Sequence, residues 1–444
     1  MLFGTCGIRG DLQRITPEFA LSLGKCVALF SKTHGASQVV VGKDGRTSSD
    51  MLSQSVQAGI LSQGVPVIDI GTVPTPVLAY SCDGCGVMVT ASHNPPQYNG
   101  MKVFFRHREL FPGEEQEIEM MMNSPPPQTT WELPSLTHAA VLPSYRQAVL
   151  AYIGKKYTSA ESKKRVVVDC GNGMGALITP CILKKMGCSV IPLFNEVRGI
   201  FQRPPEPLEQ HLMLAKKTVI VEQADIGIAH DGDADRVNVI DENGDIIPED
   251  SIIALLAGEY VSESDHVITS IDTSFRIDEY VARRGGITQR VMLGNLHEGV
   301  FKYNAVFAGE PWKHIHVGFG PWIDGIVSAA VLTTLIRDTP ASRLCDHIKK
   351  YPMEKINIAT EHRESLCALF DREIRQLSGI KEILTISGTR ANFSDGSWIL
   401  VRPSGTEPKV RIVIEGVTHH KFKSLKQFVD KTLKQSKYLY SIVN

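Results

Sequence analysis

Hydrophobic positions in the first third of the chain switch repeatedly between two periods. Behind Thr16 and Pro17, a plausible N-cap and first-turn proline, Phe19, Leu23, Val27 and Phe30 recur at helical spacing. Residues 39–42 form a short apolar run of strand type. Leu52, Val56 and Ile60 then share one face of a helix predicted over residues 51–63, and residues 65–70 read as strand again. A further apolar run at Val87, Met88 and Val89 stops abruptly at Thr90. Strands separated by helices predict a mostly parallel, doubly wound sheet. Residues 123–143, which include SPPPQTTWELP, mark a surface excursion near a first boundary.

The same texture repeats twice. A second unit opens on the strand RVVVD at residues 165–169, passes through a glycine-rich turn and runs to about residue 248. A third, from about residue 250 to 352, has strands at 267–271 and 306–309 and a helix after Asp324 and Gly325. Beyond Met353 a helical segment near 366–377 precedes short alternating strands at 383–387, 398–401 and 410–415 and a closing lysine-rich helix. The fold class is therefore α/β: three consecutive α/β domains with mixed or parallel sheets, plus a C-terminal α+β domain. The boundaries fall at 1–145, 146–249, 250–353 and 354–444. No residue-level repeat accompanies this architectural one.

Composition narrows the functional classes. At 444 residues the chain is too long for one core. A hydrophobic content of 43% with 21% charged residues fits soluble globular domains. The net charge of −1 makes no electrostatic case for nucleic acid or an anionic membrane. No apolar run reaches the roughly 18 residues of a spanning helix. The opening MLFGTCGIRG has no signal-peptide core, so a cytoplasmic location is expected. Nine cysteines, odd in number and scattered, read as reduced thiols. The single C-x-x-C, Cys82 to Cys85, lacks the second pair or the histidines that zinc or redox use would need.

VVVDCGNGMGA, residues 166–176, formally meets the dinucleotide fingerprint of strand, G-x-G-x-x-A and helix, with Glu196 about twenty residues on. It sits mid-chain, however, and its strand ends in Asp169. A tight turn with close helix–strand packing is the favoured reading over NAD binding.

Four stretches carry chemistry. In VMVTASHNPPQYNGMK, residues 87–102, a double proline forbids helix and Asn99-Gly100 suggests a turn. Ser92 is thereby a candidate nucleophile at a strand end, with His93 beside it and Lys102 after the turn. Neighbours along a strand point to opposite faces, so the pair alone proves little. In DGDADR, Asp231, Asp233 and Asp235 alternate with small residues between two apolar strands, so all three converge on one side. Three mutually repelling carboxylates call for a cation, and an all-oxygen set suits Mg²⁺ rather than zinc. No glutamate or flanking helix completes an EF-hand.

RPSGTEP, residues 402–408, follows a strand and offers Arg402, Ser404, the freed backbone of Gly405 and Thr406, with Arg411 downstream. That is an inventory for a phosphate dianion, although a surface turn reads similarly. Glycine-flanked cations add to it at Arg9 and in GKDGR, residues 42–46. In GEPWKH, Glu310 and His314 could hydrogen-bond a polyol. A strand-end serine, an acidic metal loop and a phosphate clamp, one per unit, point to phosphoryl transfer through a phosphoserine.

At this point the chain resembles the α-D-phosphohexomutase superfamily of phosphoglucomutases, phosphomannomutases and phosphoglucosamine mutases. FGTCGIRG, TASHNPPQYNGMK, DGDADR, GEPWKH and RPSGTEPKVR occur over the whole length and in that family's order. The resemblance implies four domains around one central cleft. It implies that Ser92 carries a phosphate and ligates Mg²⁺ with Asp231, Asp233 and Asp235. The phosphoryl group would pass to a sugar monophosphate, interconverting 1- and 6-phosphates through a bisphosphate that turns end for end and also serves as primer. Arg9, His93 and Lys102 would surround the transferring group. Arg236, Glu310 and His314 would face the sugar, and Arg402, Ser404, Gly405, Thr406 and Arg411 would hold the idle phosphate. The implied partner is a phosphosugar substrate, with no nucleic acid and no membrane, in a monomer or homodimer.

One departure bears on the substrate. The family's sugar loop usually reads Gly-Glu-x-Ser-Gly-His, and here Trp312 and Lys313 replace the serine and glycine. Either the pocket is reshaped for another or smaller sugar, such as a pentose phosphate, or Lys313 points outward and Glu310 and His314 work as usual. The Gly-Thr after Ser404 resembles the phosphoglucosamine mutase form of the phosphate loop. A non-catalytic phosphosugar-binding member of the family is the alternative from outside the enzymes.

Overall fold

The computed structural model describes residues 2–4, 7–124, 129–130, 134–157, 163–404 and 408–435. The chain divides into two compact units, Met1–Glu249 with Trp312–Asp346, and Asp250–Pro311 with His347–Asn444.

In the first unit, one sheet runs in the order Ile8–Asp11, Tyr98–Phe105, Cys85–Val89, Val39–Lys43, Val67–Thr72, Leu136–His138. The four strands from Cys85–Val89 outward are parallel, whereas Tyr98–Phe105 is antiparallel to both of its neighbours. The helices Pro17–Thr33 and Ser49–Leu61 form where the apolar spacing predicts them. The Thr16 hydroxyl accepts the Phe19 N–H at 3.1 Å, ahead of Pro17 in the first turn. Leu23, Val27, Phe30, Leu52, Val56 and Ile60 bury against Val39, Val41, Val87 and Val89 in one apolar cluster.

The Asn99-Gly100 turn is corrected. Both residues lie inside the strand Tyr98–Phe105, where Gly100 is opposite Arg9. A Cβ on Gly100 would stand 2.2 Å from the Ile8 carbonyl oxygen, so this glycine serves close backbone approach rather than reversal.

A second sheet of the same unit has the order Val237–Asp241, Ile226–His230, Arg165–Asp169, Ser189–Leu193. Ile226–His230 is parallel to Arg165–Asp169 and antiparallel to Val237–Asp241, so the acidic loop spans a hairpin at the carboxyl end of a buried strand. The helix Gly325–Leu335 is buried from Gly325 to Thr334. The carboxylate of Asp324 caps it by accepting the Ile326 and Val327 N–H groups at 3.0 and 2.9 Å. Tyr145 and Trp322 also donate to Asp324.

The second unit contains the parallel strands Ile287–Val291, His266–Ser270 and Phe307–Glu310. It also holds a five-stranded antiparallel sheet in the order Met353–Ala359, Lys409–Glu415, Trp398–Pro403, Thr389–Phe393, Ile380–Leu384. The helices Arg363–Ile374 and His419–Gln435 cover it through Leu366, Phe370, Leu425 and Val429. Met353–Ala359 and Thr389–Phe393 escape the sequence reading because Lys355, Arg390 and Asn392 interrupt their apolar residues. Arg390 is buried there, over the Trp398 ring at 3.7 Å, and it donates to the Thr273 carbonyl at 3.0 Å. Among the described residues no helix is long and apolar enough to cross a membrane.

Candidate active site

Ser92 leaves its strand in a left-handed conformation, φ +48°. For a residue with a Cβ this costs of order 1–3 kcal/mol and must be imposed by the surroundings. The guanidinium of Arg46 imposes it. Nη2 donates to the carbonyls of Ser92 and Asn94 at 2.9 and 2.7 Å, and Nη1 donates to those of Pro95 and Tyr98 at 2.6 and 3.0 Å. Its Nε donates to Asp44 at 3.0 Å. Asp44 also accepts the Thr90 hydroxyl, whose oxygen in turn accepts the Ser92 N–H at 2.9 Å. The sequence reading counted Arg46 among the cations available to phosphate; its donors are instead spent on the loop.

The Ser92 hydroxyl donates to Asp231 Oδ2 at 2.8 Å and lies 3.3 Å from His93 Nδ1. A Cβ on Gly232 would be 2.4 Å from the Ser92 carbonyl oxygen, so serine loop and acidic loop are in backbone contact. Asp231, Asp233 and Asp235 are buried and offer ligand atoms all within 4.8 Å of one another. Ala234 turns through φ +60°, so the three carboxylates gather across a bent loop rather than along a straight strand.

Lys102 Nζ sits 3.0 Å from Asp233 Oδ2 and 2.5 Å from Asp235 Oδ2. Burial alone would weaken the lysine as a base site, but Asp233, Asp235 and Glu109 hold its ammonium protonated, well above its usual range. Burial likewise opposes ionisation of Asp233, yet Lys102 and the Thr75 hydroxyl, which donates at 2.7 Å, keep its carboxyl well below the usual range. Asp231, buried and facing two other acids, is pushed up. The single ammonium does not saturate the triad. Asp233 Oδ1 and Asp235 Oδ1 are buried without hydrogen-bond partners among the described residues. Orphaned hard oxygens on converging carboxylates fit a divalent cation such as Mg²⁺.

Cations surround the serine on its other side. Arg9 Nη1 donates to Asn94 Oδ1 at 3.1 Å and lies 3.4 Å from His93 Nδ1. Its Nε and Nη2 are buried without hydrogen-bond partners among the described residues. Burial, reinforced by Arg236, Arg9 and Lys313, drives His93 far below its usual range and leaves it neutral. Arg236 donates its N–H to Asp231 Oδ1 at 3.2 Å and holds its guanidinium 6.0 Å from the Trp312 ring centroid. The Trp312 carbonyl accepts the Val237 N–H at 2.9 Å, and Arg236 and Lys313 form a β-bridge.

The hairpin carrying the acids is pinned from beneath. His230 hydrogen-bonds the Arg236 carbonyl at 2.8 Å and the Thr179 hydroxyl at 3.0 Å, and burial lowers its pKa to about 4. Arg203 donates to the His230 carbonyl and to Asp169 at 2.7 and 2.9 Å. The Met174 N–H donates to the Gly232 carbonyl at 2.9 Å. The glycine-rich turn of residues 171–176 thus packs on the acidic loop.

In the second unit, Arg402 and Arg411 are register partners on adjacent strands. Asp272 lies 3.4 Å from Arg402 Nη2, while Arg402 Nε is buried without a hydrogen-bond partner among the described residues. The Ser404 N–H donates to the Lys409 carbonyl and Arg363 donates to the Ser404 carbonyl, at 2.9 and 2.7 Å. Glu310 accepts the Gly294 N–H at 2.9 Å. Gly405 and Thr406 lie outside the described residues.

The first unit therefore gathers Ser92, His93, Lys102, Arg9, Asp231, Asp233, Asp235 and Arg236, together with His314, whose Nδ1 is 3.1 Å from Ser328 Oγ. Glu310, Arg402, Ser404 and Arg411 belong to the second. The sequence reading missed Thr75, Asp44, Thr90, Asp272 and Arg363. Of these, Asp44, inside a Gly-x-x-Gly stretch, and Thr90, at the head of the serine stretch, stood in segments that drew attention.

Comparison with known proteins finds one family along the chain. Residues 1–128, 143–244 and 248–351 match the profiles described as phosphoglucomutase/phosphomannomutase α/β/α domains I, II and III. Residues 356–432 match that family's C-terminal domain. A phosphopentomutase of Thermococcus kodakarensis is 42% identical over 432 residues, covering 94% of each chain. A probable phosphoglucosamine mutase of Methanobrevibacter smithii is 37% identical, covering 98% of this chain and 99% of the other. The crystal structure of a phosphoglucomutase/phosphomannomutase family protein from Burkholderia thailandensis shares the fold, with TM-score 0.88 at 24% identity over 99% and 98% of the two chains. Matching on all four domains, the chain belongs to the phosphoglucomutase/phosphomannomutase family.

Proposed function

We propose that the protein is a phosphosugar mutase in which Ser92 Oγ carries the phosphoryl group between two positions of one sugar. The observation that carries this reading is the placement of Ser92 Oγ 2.8 Å from Asp231, against a buried acid triad with unsatisfied oxygens. Asp231, Asp233 and Asp235 would hold Mg²⁺, which neutralises charge on a phosphoryl group in transfer.

In the forward half-reaction the bond from phosphorus to Ser92 Oγ breaks as one forms to a sugar hydroxyl oxygen, and the proton lost by that hydroxyl ends on Ser92 Oγ. The second half returns the other phosphate of the bisphosphate to Ser92. Arg9 presents buried Nε and Nη2 donors to the group in flight. Lys102, held as an ammonium, supplies positive charge beside the acid triad. His93 is neutral and its Nδ1, 3.3 Å from Ser92 Oγ, can take part in a hydrogen bond with that oxygen. Arg402, Ser404, Gly405, Thr406 and Arg411 would bind the idle phosphate, with Glu310, His314 and Arg236 on the sugar. A sugar bisphosphate would prime Ser92, and the chemistry suits a cytoplasmic enzyme.

Hexose and hexosamine 1- and 6-phosphates are the first substrates to test. Trp312 favours a second reading, a phosphopentomutase. An indole at a position where the family usually has serine, held at φ +66° beside Arg236, would take volume that a hexose needs. The phosphopentomutase at 42% identity supports the same direction. Turnover against glucose-, mannose-, glucosamine- and ribose-1-phosphate, each with its bisphosphate, separates these. Full activity in Ser92→Ala would remove the mutase reading, and absence of turnover on the whole panel would favour a binding protein.

A further inference from the structure

The first turn of the helix Gly325–Leu335 places one hydroxyl among three partners. Ser328 Oγ is 2.8 Å from the Asp324 carbonyl oxygen, 2.8 Å from His316 Nε2 and 3.1 Å from His314 Nδ1. A serine hydroxyl has one proton to give and two lone pairs with which to accept. The carbonyl can only accept, so the proton goes there. Giving it to either imidazole would set the carbonyl lone pairs against those of Oγ at 2.8 Å. Both histidines must then donate to Ser328, His316 from Nε2 and His314 from Nδ1.

We propose that Ser328 is a positioning residue that locks His314 in its Nδ1–H tautomer, so that His314 presents Nε2 to the substrate as a hydrogen-bond acceptor. The partner that suits this atom is a donor, a sugar hydroxyl, and not a phosphate oxygen. The inference rests on the mutase reading for the identity of that partner. The tautomer itself follows from the protein alone.

Three further contacts hold the arrangement. The His314 carbonyl accepts the Asp324 N–H at 2.8 Å, tying strand to helix cap. Asp324 fixes the helix start, and therefore Ser328, through Ile326 and Val327. Burial keeps His314 neutral, its pKa lowered to about 3, so the tautomer is not lost to protonation near neutral pH. The sugar-loop histidine is thus oriented from a helix 14 residues later in the chain.

The test is NMR of the full-length protein with ¹⁵N-labelled histidine, reading which ring nitrogen of His314 bears hydrogen, with the resonance assigned by its loss in His314→Gln. Wild type should show Nδ1–H and bare Nε2 without substrate. Ser328→Ala should mix the tautomers and lower kcat/KM about tenfold, the scale of one misdirected hydrogen bond, while Ser92 still takes up phosphate from a bisphosphate. Ser328→Thr, which keeps the hydroxyl, should restore both. Nε2–H in the wild type would overturn the proposal, as would a Ser328→Ala protein with unchanged tautomer and unchanged kcat/KM. If Ser328→Ala fails to fold, the wild-type and Ser328→Thr spectra decide. An absence of mutase turnover with the Nδ1–H tautomer present would count against the proposed function and leave Ser328 in its role.

Discussion

Arg46 Nη2 donates to the carbonyl oxygen of Ser92 at 2.9 Å. The serine proposed to carry the phosphoryl group is thus gripped through its backbone by a buried arginine. Replacing Arg46 with Met leaves Asp44 as an uncompensated buried charge and strips four loop carbonyls of their donor. Urea unfolding should show a loss of about 3–5 kcal/mol. Phosphate uptake at Ser92 should slow as the left-handed turn relaxes. A loss below about 1 kcal/mol with normal uptake would mean the loop holds itself.

Asp233→Asn tests the acid loop. It keeps the side-chain shape and an acceptor for Thr75 but removes one of the charges that would hold the cation. Turnover should fall by about 10²-fold or more, with a matching rise in the Mg²⁺ concentration needed for half-maximal activity. Chelation of the wild type should mimic the variant. Unchanged turnover and unchanged Mg²⁺ dependence would make the loop merely structural.

Trp312→Ser tests the sugar reading. Opening that volume should raise kcat/KM for a hexose phosphate relative to ribose phosphate by about tenfold or more. The preferred sugar of the wild type should lose ground. An unaltered ratio would place the indole outside the sugar pocket.

Asp324 ties folding to pH. Burial raises its carboxyl from the ordinary 3.8 to about 6, against the donors Tyr145, Val327, Trp322 and Ile326. The folded chain thus holds this proton more tightly than the unfolded chain. The associated stability is complete below about pH 4 and is lost as pH rises through about 6. Relative to Asp324→Asn, wild type should lose roughly 2.4 kcal/mol of unfolding free energy between pH 4 and pH 7. A difference independent of pH would show that the carboxyl ionises as it does in water.

Legibility followed the reach of each interaction. The Pro17–Thr33 helix and the Asp231–Asp235 loop are written in local spacing, so periodicity found them. The strand at Asn99-Gly100 was misread because its glycine answers to the carbonyl of Ile8, far away in sequence. Arg46 was misassigned for the same reason. Its partners are carbonyls nearly fifty residues downstream, which no pattern of side chains announces. Thr75 and Ser328 are ordinary helix-start residues until folding sets Asp233 and His314 against them.

The most direct test is peptide mass spectrometry of the full-length protein after incubation with glucose 1,6-bisphosphate and Mg²⁺. A single phosphate should appear on the peptide containing Ser92 and disappear when excess sugar monophosphate is added. A protein that turns over the sugar phosphate while Ser92 stays unmodified throughout would contradict the role assigned to it.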